Sequence, residues 1–200
     1  MIDGRLFLAA GATATLSGTL AGCASMGGGG WATLVDGATM KSLDGWGQLG
    51  AGNWSFVEGT LQGKDGKLGY LVTKDSYTDF EIRAEFWADE PANSGIFIRC
   101  QDRNKVGADS SYEVNIFDKR PDPTYGTGAI VDFAKVAQPG PKAANRWNTF
   151  HITARGPRLI VVFNGQQTVD VTTDKFKSGP VALQSAGGTI RFRKVEIRAI

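Results

Sequence analysis

The sequence has little of the chemistry from which metal and redox sites are built. Its 200 residues hold two cysteines, one histidine and three methionines. No Cys/His cluster at zinc-ligand spacing can be assembled from so few ligands. Cys23 falls in the N-terminal apolar stretch, so Cys100 stands alone in the rest of the chain and no disulfide can form within it. Cys100 follows an apolar alternation and reads as a small buried hydrophobe rather than a nucleophile. Charge of one sign is also lacking. The 22 basic and 20 acidic side chains give a net charge of +2 and are interleaved. The only basic cluster, "RFRK" near the C-terminus, alternates as a strand does, so nucleic acid is not an expected partner. No segment carries a sustained helical period, and no internal repeat is present.

The N-terminus reads as a targeting segment. Arg5 precedes an uncharged run, Leu6 to Leu20, too short for a comfortable membrane span and suited to the apolar region of a signal peptide. The run ends in Leu20-Ala21-Gly22-Cys23, which resembles the bacterial lipobox. That resemblance implies export, cleavage before Cys23 and acylation of its thiol; an ordinary secretory signal with an incidental cysteine is the plainer alternative. Acyl chains would anchor the protein stably, two or more chains holding where one does not. The expected organisation is a signal peptide over 1–22, a Gly-rich tether over 23–30 and one domain over 31–200. Ala24, rather than Asp, follows the cysteine, which implies an outer-membrane lipoprotein facing the periplasm.

What the sequence does have is glycine, 27 residues of it, punctuating short alternating segments. This pattern predicts an all-β protein. Strands are expected at 31–36, 70–74, 79–89, 94–102 and 111–118, then at 179–186 and 189–200. Hairpins are expected over 52–64, turning at Glu58-Gly59, and over 149–172, turning at Asn164-Gly165. Residues 133–147 read as an irregular excursion. Ten to twelve short strands with antiparallel pairing predict a two-sheet jelly-roll sandwich. The first and last strands can pair, and one sheet face can form the concave groove in which such folds bind carbohydrate.

Five stretches then become recognisable together: "GWGQLGAGNWSFVEGTLQG", "DFEIRAEFWADEPANSGIFIRC", "SYEVNIFD", "RWNTFHITARGPRLIVVFNGQQTVDV" and "GPVALQ…IRFRKVEI". In this order they resemble the 3-keto-disaccharide hydrolase domain family, which has a concanavalin A-like lectin/glucanase fold. The resemblance implies action on glycosides whose sugar is oxidised at C3. The ketone acidifies the C2 proton, so a base can form an enolate, the C1 substituent leaves by elimination, and water adds back. One base, a donor or cation for the enolate oxygen and a donor for the leaving oxygen are required. The chain departs from the family where an Asp-His pair is expected after "LQ": Ser185 and Ala186 stand there. A non-catalytic carbohydrate-binding lipoprotein and a purely structural envelope component are therefore the competing readings.

Strand phase nominates the site residues. In 94–100 and 111–118 the aliphatic residues share one phase, which puts Arg99 and Glu113 together on the outer surface. A cross-strand Arg99–Glu113 pair would lower the Glu pKa and keep it ionised as base or hydroxyl acceptor, and Arg99 could equally stabilise the enolate. The bland alternative is an exposed salt bridge worth about 1 kcal/mol or less. Asn115 shares the Glu113 phase and is expected to line the groove. Asn93, Asp118 and Gln184 are candidate substrate contacts, each equally readable as a turn or strand-end residue. Trp87 is a candidate stacking platform for sugar C–H faces. Tyr125, in the stiff "RPDPTYGTGAI" segment, can point into a cleft from its wall. The only histidine, His151, reads as an exposed or hydrogen-bonded strand residue. Asp102, Asp109, Asp118 and Asp122 leave calcium open as a cofactor, without a recognised loop spacing.

Overall fold

The alternation of buried and exposed side chains builds two stacked antiparallel sheets. The computed structural model describes Met1, residues 29–64 and residues 67–200. The expected signal peptide, Cys23 and most of the tether lie outside the described residues. The strands are β1 (Ala32–Asp36), β2 (Trp46–Gly50), β3 (Asn53–Val57), β4 (Thr60–Lys64), β5 (Gly69–Thr73), β6 (Phe80–Ala88), β7 (Ser94–Ile98), β8 (Tyr112–Ile116), β9 (Trp147–Arg155), β10 (Arg158–Phe163), β11 (Gln166–Thr172), β12 (Ala182–Ser185) and β13 (Ile190–Ala199). One sheet has eight strands in the order β11-β10-β9-β6-β13-β4-β3, with β1 also paired to β13; the other has five, β2-β5-β12-β7-β8. The jelly-roll sandwich predicted from the turn spacing is the fold observed, and the first and last strands pair as expected.

Both hairpins turn where glycine pairs demanded it. Glu58 and Gly59 adopt φ of 48° and 71°, and Asn164 and Gly165 adopt 48° and 82°. Two consecutive positive φ values match the right-handed twist of the flanking strands. β2 was not anticipated. Its two glycines, Gly47 and Gly50, read as loop, yet Trp46 is buried in the core and the segment pairs along β5.

The core lies between the sheets. Phe80, Ile82, Ala84 and Phe86 of β6, with Phe150 and Ile152 of β9, face Leu71, Ile96, Val114 and Leu183 of the smaller sheet. Phe86 and Phe150 stack at 5.0 Å between centroids. The opposite phase of β6 and β9 is solvent-facing, with Arg83 opposite His151 and Trp87 opposite Trp147. Trp87 therefore sits on the outer face of the eight-stranded sheet, with the Arg191 guanidinium 5.6 Å over its ring. His151 shares that face, its Nε2 3.6 Å from the Glu81 carboxylate.

Arg99 is the main departure from strand phase. β7 ends at Ile98, and Arg99 takes a left-handed φ of 54°. This turns its side chain out of the strand alternation and into the molecule, where it is 1% exposed. Its Nε and Nη2 donate to the Thr78 carbonyl at 3.0 and 2.6 Å, and its Nη1 donates to the Gly156 and Phe176 carbonyls at 2.8 and 3.2 Å. Nη2 also meets the Asp79 carboxylate at 3.2 Å. Arg99 thus clamps the β5–β6, β9–β10 and β11–β12 connections together and makes no cross-strand pair with Glu113. Buried carbonyls need donors, and a side chain with no hydrogen left to offer cannot also serve an enolate. Arg99→Met is expected to destabilise the fold by about 3–5 kcal/mol, read as a lowered denaturation midpoint in urea.

Candidate functional site

The register of the five-stranded sheet assembles the candidate site on its outer face. Phe97 opposes Glu113 and Gly95 opposes Asn115 across β7 and β8. Ala182 opposes Phe97 across β12 and β7. Gln184 opposes Tyr70, and Ala182 opposes Val72, across β12 and β5. Leu49 and Gly47 continue these pairs onto β2. Because alternate residues share a face, two transverse rows result. One runs Leu49, Tyr70, Gln184, Gly95, Asn115; the other runs Gly47, Val72, Ala182, Phe97, Glu113. Leu49, Tyr70, Val72, Phe97 and Ala182 join Cys100 and Val106 in an apolar cluster separate from the main core. The β7–β8 connection thus folds back onto this face and shields part of it from water. Tyr70 and Phe97 meet edge-on at 5.3 Å. Cys100 is part of this apolar shield, and burial pushes its thiol up to about 12. It is a packing residue.

Glu113 leans over Gly95. A Cβ at Gly95 would lie 3.2 Å from Glu113 Cγ and 3.3 Å from its Oε1. The bare backbone is therefore the space that the carboxyl group occupies. Glu113 is 8% exposed, and burial raises its pKa from 4.5 to about 7, with Arg120 pulling it down and Asp132 pushing it up. This reverses the sequence-based expectation. The cation felt by Glu113 is Arg120, from the loop after β8, and desolvation outweighs it. Arg120 escaped strand-phase reasoning because it lies beyond the strand; its only sequence signal was its position before Pro121.

The other expected residues divide. Gln184 is on the face, donating from Nε2 to the Tyr70 hydroxyl at 3.3 Å, while its Oε1 is buried and unpaired. Asn115 is in the same row and fully buried. Its Nδ2 donates to the Tyr125 carbonyl at 2.6 Å and its Oδ1 has no partner. Its backbone also pairs with Ala129 and Gly128, so that segment extends the sheet past β8. Tyr125 serves Asn115 through its carbonyl, and its ring lies beneath Lys135. Asn93 exchanges backbone hydrogen bonds with Ala186 and Gly187, continuing the register one step beyond Gln184 and Gly95. Ala186, where the family pattern expects histidine, presents only a methyl group there.

Two candidates are corrected. Asp118 is occupied in organising its loop: it accepts from the Thr127 hydroxyl at 2.6 Å and from the Ala143 and Ala144 amides. Trp87 belongs to the other sheet, and Tyr70 and Phe97 are the aromatics of this face. The acidic residues weighed for calcium each bind within their own turns, Asp102 to Asn104, Asp109 to Lys105 and Asp122 to Thr124. Among the described residues no group of three acidic, His or Cys side chains could hold a metal ion.

The domain described as 3-keto-alpha-glucoside-1,2-lyase-like matches residues 30–198. No curated protein matches the chain at a significant level. Among solved structures, a candidate glycosyl hydrolase from Parabacteroides distasonis superposes with a TM-score of 0.68 at 24% identity, over 86% of this chain and 100% of that one. Carbohydrate-binding module CBM66 from Bacillus subtilis gives 0.61 at 17% identity, over 80% and 99%. Porphyranase B from Zobellia galactanivorans gives 0.57 at 15% identity, over 83% and 91%. These likenesses establish the fold.

A carboxyl whose folded pKa is raised binds its proton more tightly in the folded state. Its contribution to stability is complete below about 4.5 and is lost as the pH rises through about 7. Glu113→Gln removes that dependence. Relative to the parent, the variant is expected to gain stability between those values, by on the order of 3 kcal/mol at the alkaline plateau, measured by urea unfolding from pH 4 to 8.5.

Proposed function

The chain belongs to the 3-keto-alpha-glucoside-1,2-lyase-like domain family, and we propose that it cleaves 3-keto-glycosides by elimination, with Glu113 as general base. The observation that carries this reading is the Glu113 carboxyl, seated over Gly95 in an apolar surround and held near neutrality. A base with a pKa near the working pH combines a useful ionised fraction with enough basicity to take a carbon-bound proton. Glu113 takes the C2 proton, and the electron pair moves into the C2–C3 bond as the ketone oxygen becomes an enolate. Arg120, the cation that Glu113 feels, stabilises that oxygen. The enolate then expels the C1 substituent. The Tyr70 hydroxyl accepts from Gln184, which leaves its own proton available to the departing oxygen, and burial keeps the phenol protonated. Addition of water to the unsaturated ketone completes a net hydrolysis.

A second reading, glycan binding without turnover, is favoured by one observation. Ser185 and Ala186 replace the Asp-His pair of the family, and no imidazole lies on this face. Both readings place a sugar over the same rows. Attachment to the envelope is supported by the lipobox-like setting of Cys23.

Incubation with methyl 3-keto-α-glucoside, following release of methanol, separates the two readings. Turnover is expected, with kcat/KM rising with pH to a plateau above about 7. Glu113→Gln should lower kcat by about 10²–10⁴ and Arg120→Ala by about 10²–10³. Binding without release of methanol in the parent protein would leave the glycan-binding reading standing. For the anchor, metabolic labelling with palmitate should mark the parent and not Cys23→Ser; label on both would remove Cys23 as the acylation site.

A further inference from the structure

One loop covers the outer face of the five-stranded sheet. Tyr70, Val72, Phe97 and Ala182 point out of that sheet, yet all four are buried, clustered with Val106 and Cys100. Residues 101–110 of the β7–β8 connection form a loop whose ends meet, the Gln101 amide donating to the Ser110 carbonyl at 2.8 Å. The loop satisfies itself. The Lys105 amide donates to the Asp102 carbonyl, the Asn104 amide to the Asp102 carboxylate and the Ser110 hydroxyl to the Lys105 carbonyl, while Lys105 pairs with Asp109. Among the described residues, no backbone–backbone hydrogen bond joins 102–109 to the rest of the protein. At the root, Gln101 Nε2 donates to the Ser178 carbonyl and the Ser111 hydroxyl to the Gly107 carbonyl. Beyond the root, the ties to the sheet are Val106, the one residue of 101–110 that is buried, and an exposed hydrogen bond from Arg103 Nη1 to the Lys74 carbonyl at 3.1 Å. A compact loop with its own hydrogen bonds and one apolar peg can lift without unfolding the sheets.

We propose that residues 101–110 are a lid over this face, hinged at the Gln101–Ser110 root and pegged shut by Val106, and that sugar enters beneath it. The proposal rests on the reading that this face holds the sugar. A ring lying between Glu113 and Tyr70 needs the room that Val106 takes in the Tyr70–Phe97 cluster. Opening starts at the far edge, where a cavity of about 120 Å³ already separates Arg103 and Asn104 of the loop from Gly47, Leu49 and Val72 of β2 and β5. Breaking the Arg103 bond widens that gap and withdraws the peg. The closed state keeps bulk water from the apolar face. The open fraction sets how much of the protein can take sugar at any moment.

The full chain carrying Cys23→Ser has one thiol, Cys100, which lies in the same apolar cluster. Its alkylation by iodoacetamide reads the opening. The labelling rate should depend only weakly on urea at low denaturant, because a lifted loop exposes little surface. Val106→Ala should speed labelling roughly tenfold, and Arg103→Ala about threefold. Sugar affinity is read by calorimetry with methyl 3-keto-α-glucoside, in the Glu113→Gln background so that the sugar is not consumed. There Val106→Ala should tighten the apparent Kd by the same factor by which it speeds labelling. Labelling that follows urea as steeply as global unfolding would show that the loop does not open alone, and would overturn the lid. Faster labelling with an unchanged Kd would overturn it as well, because sugar then binds without passing beneath the loop. If no variant binds sugar while labelling behaves as expected, the loop opens as described and the sugar reading alone fails.

Discussion

The close approach of the Glu113 carboxyl to the bare backbone of Gly95 is the constraint on which the site depends. Antiparallel register puts glycine diagonally across from the acid, and a Cβ there would press on the Glu113 side chain at 3.2–3.3 Å. Around it, Tyr70, Phe97 and Val106 remove water. Burial without a close ion partner then does what strand phase alone could not reveal: it moves an ordinary carboxyl into the range where it can act as a base. Tyr70 feels the same acid across the face, and desolvation raises its phenol as well. One apolar shield tunes both groups.

Arg99 and Glu113 show how equal sequence signals can have opposite fates. Both are charged residues in the outward phase of adjacent strands. A single left-handed residue at the end of β7 sends Arg99 in among the loops, where it holds carbonyls from three connections. A buried guanidinium needs its donors satisfied more than it needs a counter-ion on the next strand. The charge that tempers Glu113 comes instead from Arg120, outside the strand pattern altogether.

The two sheets divide the polar chemistry of the molecule. The eight-stranded sheet turns a grid of Arg, Glu and Trp to solvent, in which the Arg83 and Arg198 guanidiniums both lie against the Trp31 ring, at 4.2 and 4.7 Å. These are exposed, mutually paired groups of the kind that contribute little individually. The five-stranded sheet instead buries a few polar groups among apolar ones and leaves some of them unpaired, the arrangement expected of a ligand site. That face carries no histidine, and its phenol is Tyr70, whose hydroxyl accepts from Gln184.

The sequence by itself determined most of the strands, the two tight hairpins, the sandwich and the shared phase of Glu113 and Asn115. Those follow from alternation with a period of two and from glycine pairs, which are local properties. It could not determine that Asp118 is consumed by loop amides, that Trp87 lies on the opposite sheet, or that Glu113 is held near neutrality. It also gave no sign of β2, whose glycines mask a strand that only pairing with β5 stabilises. Sheet membership, backbone handedness at one residue and desolvation arise from contacts between segments far apart in the chain. No window of sequence contains them, and the tertiary structure alone decides them.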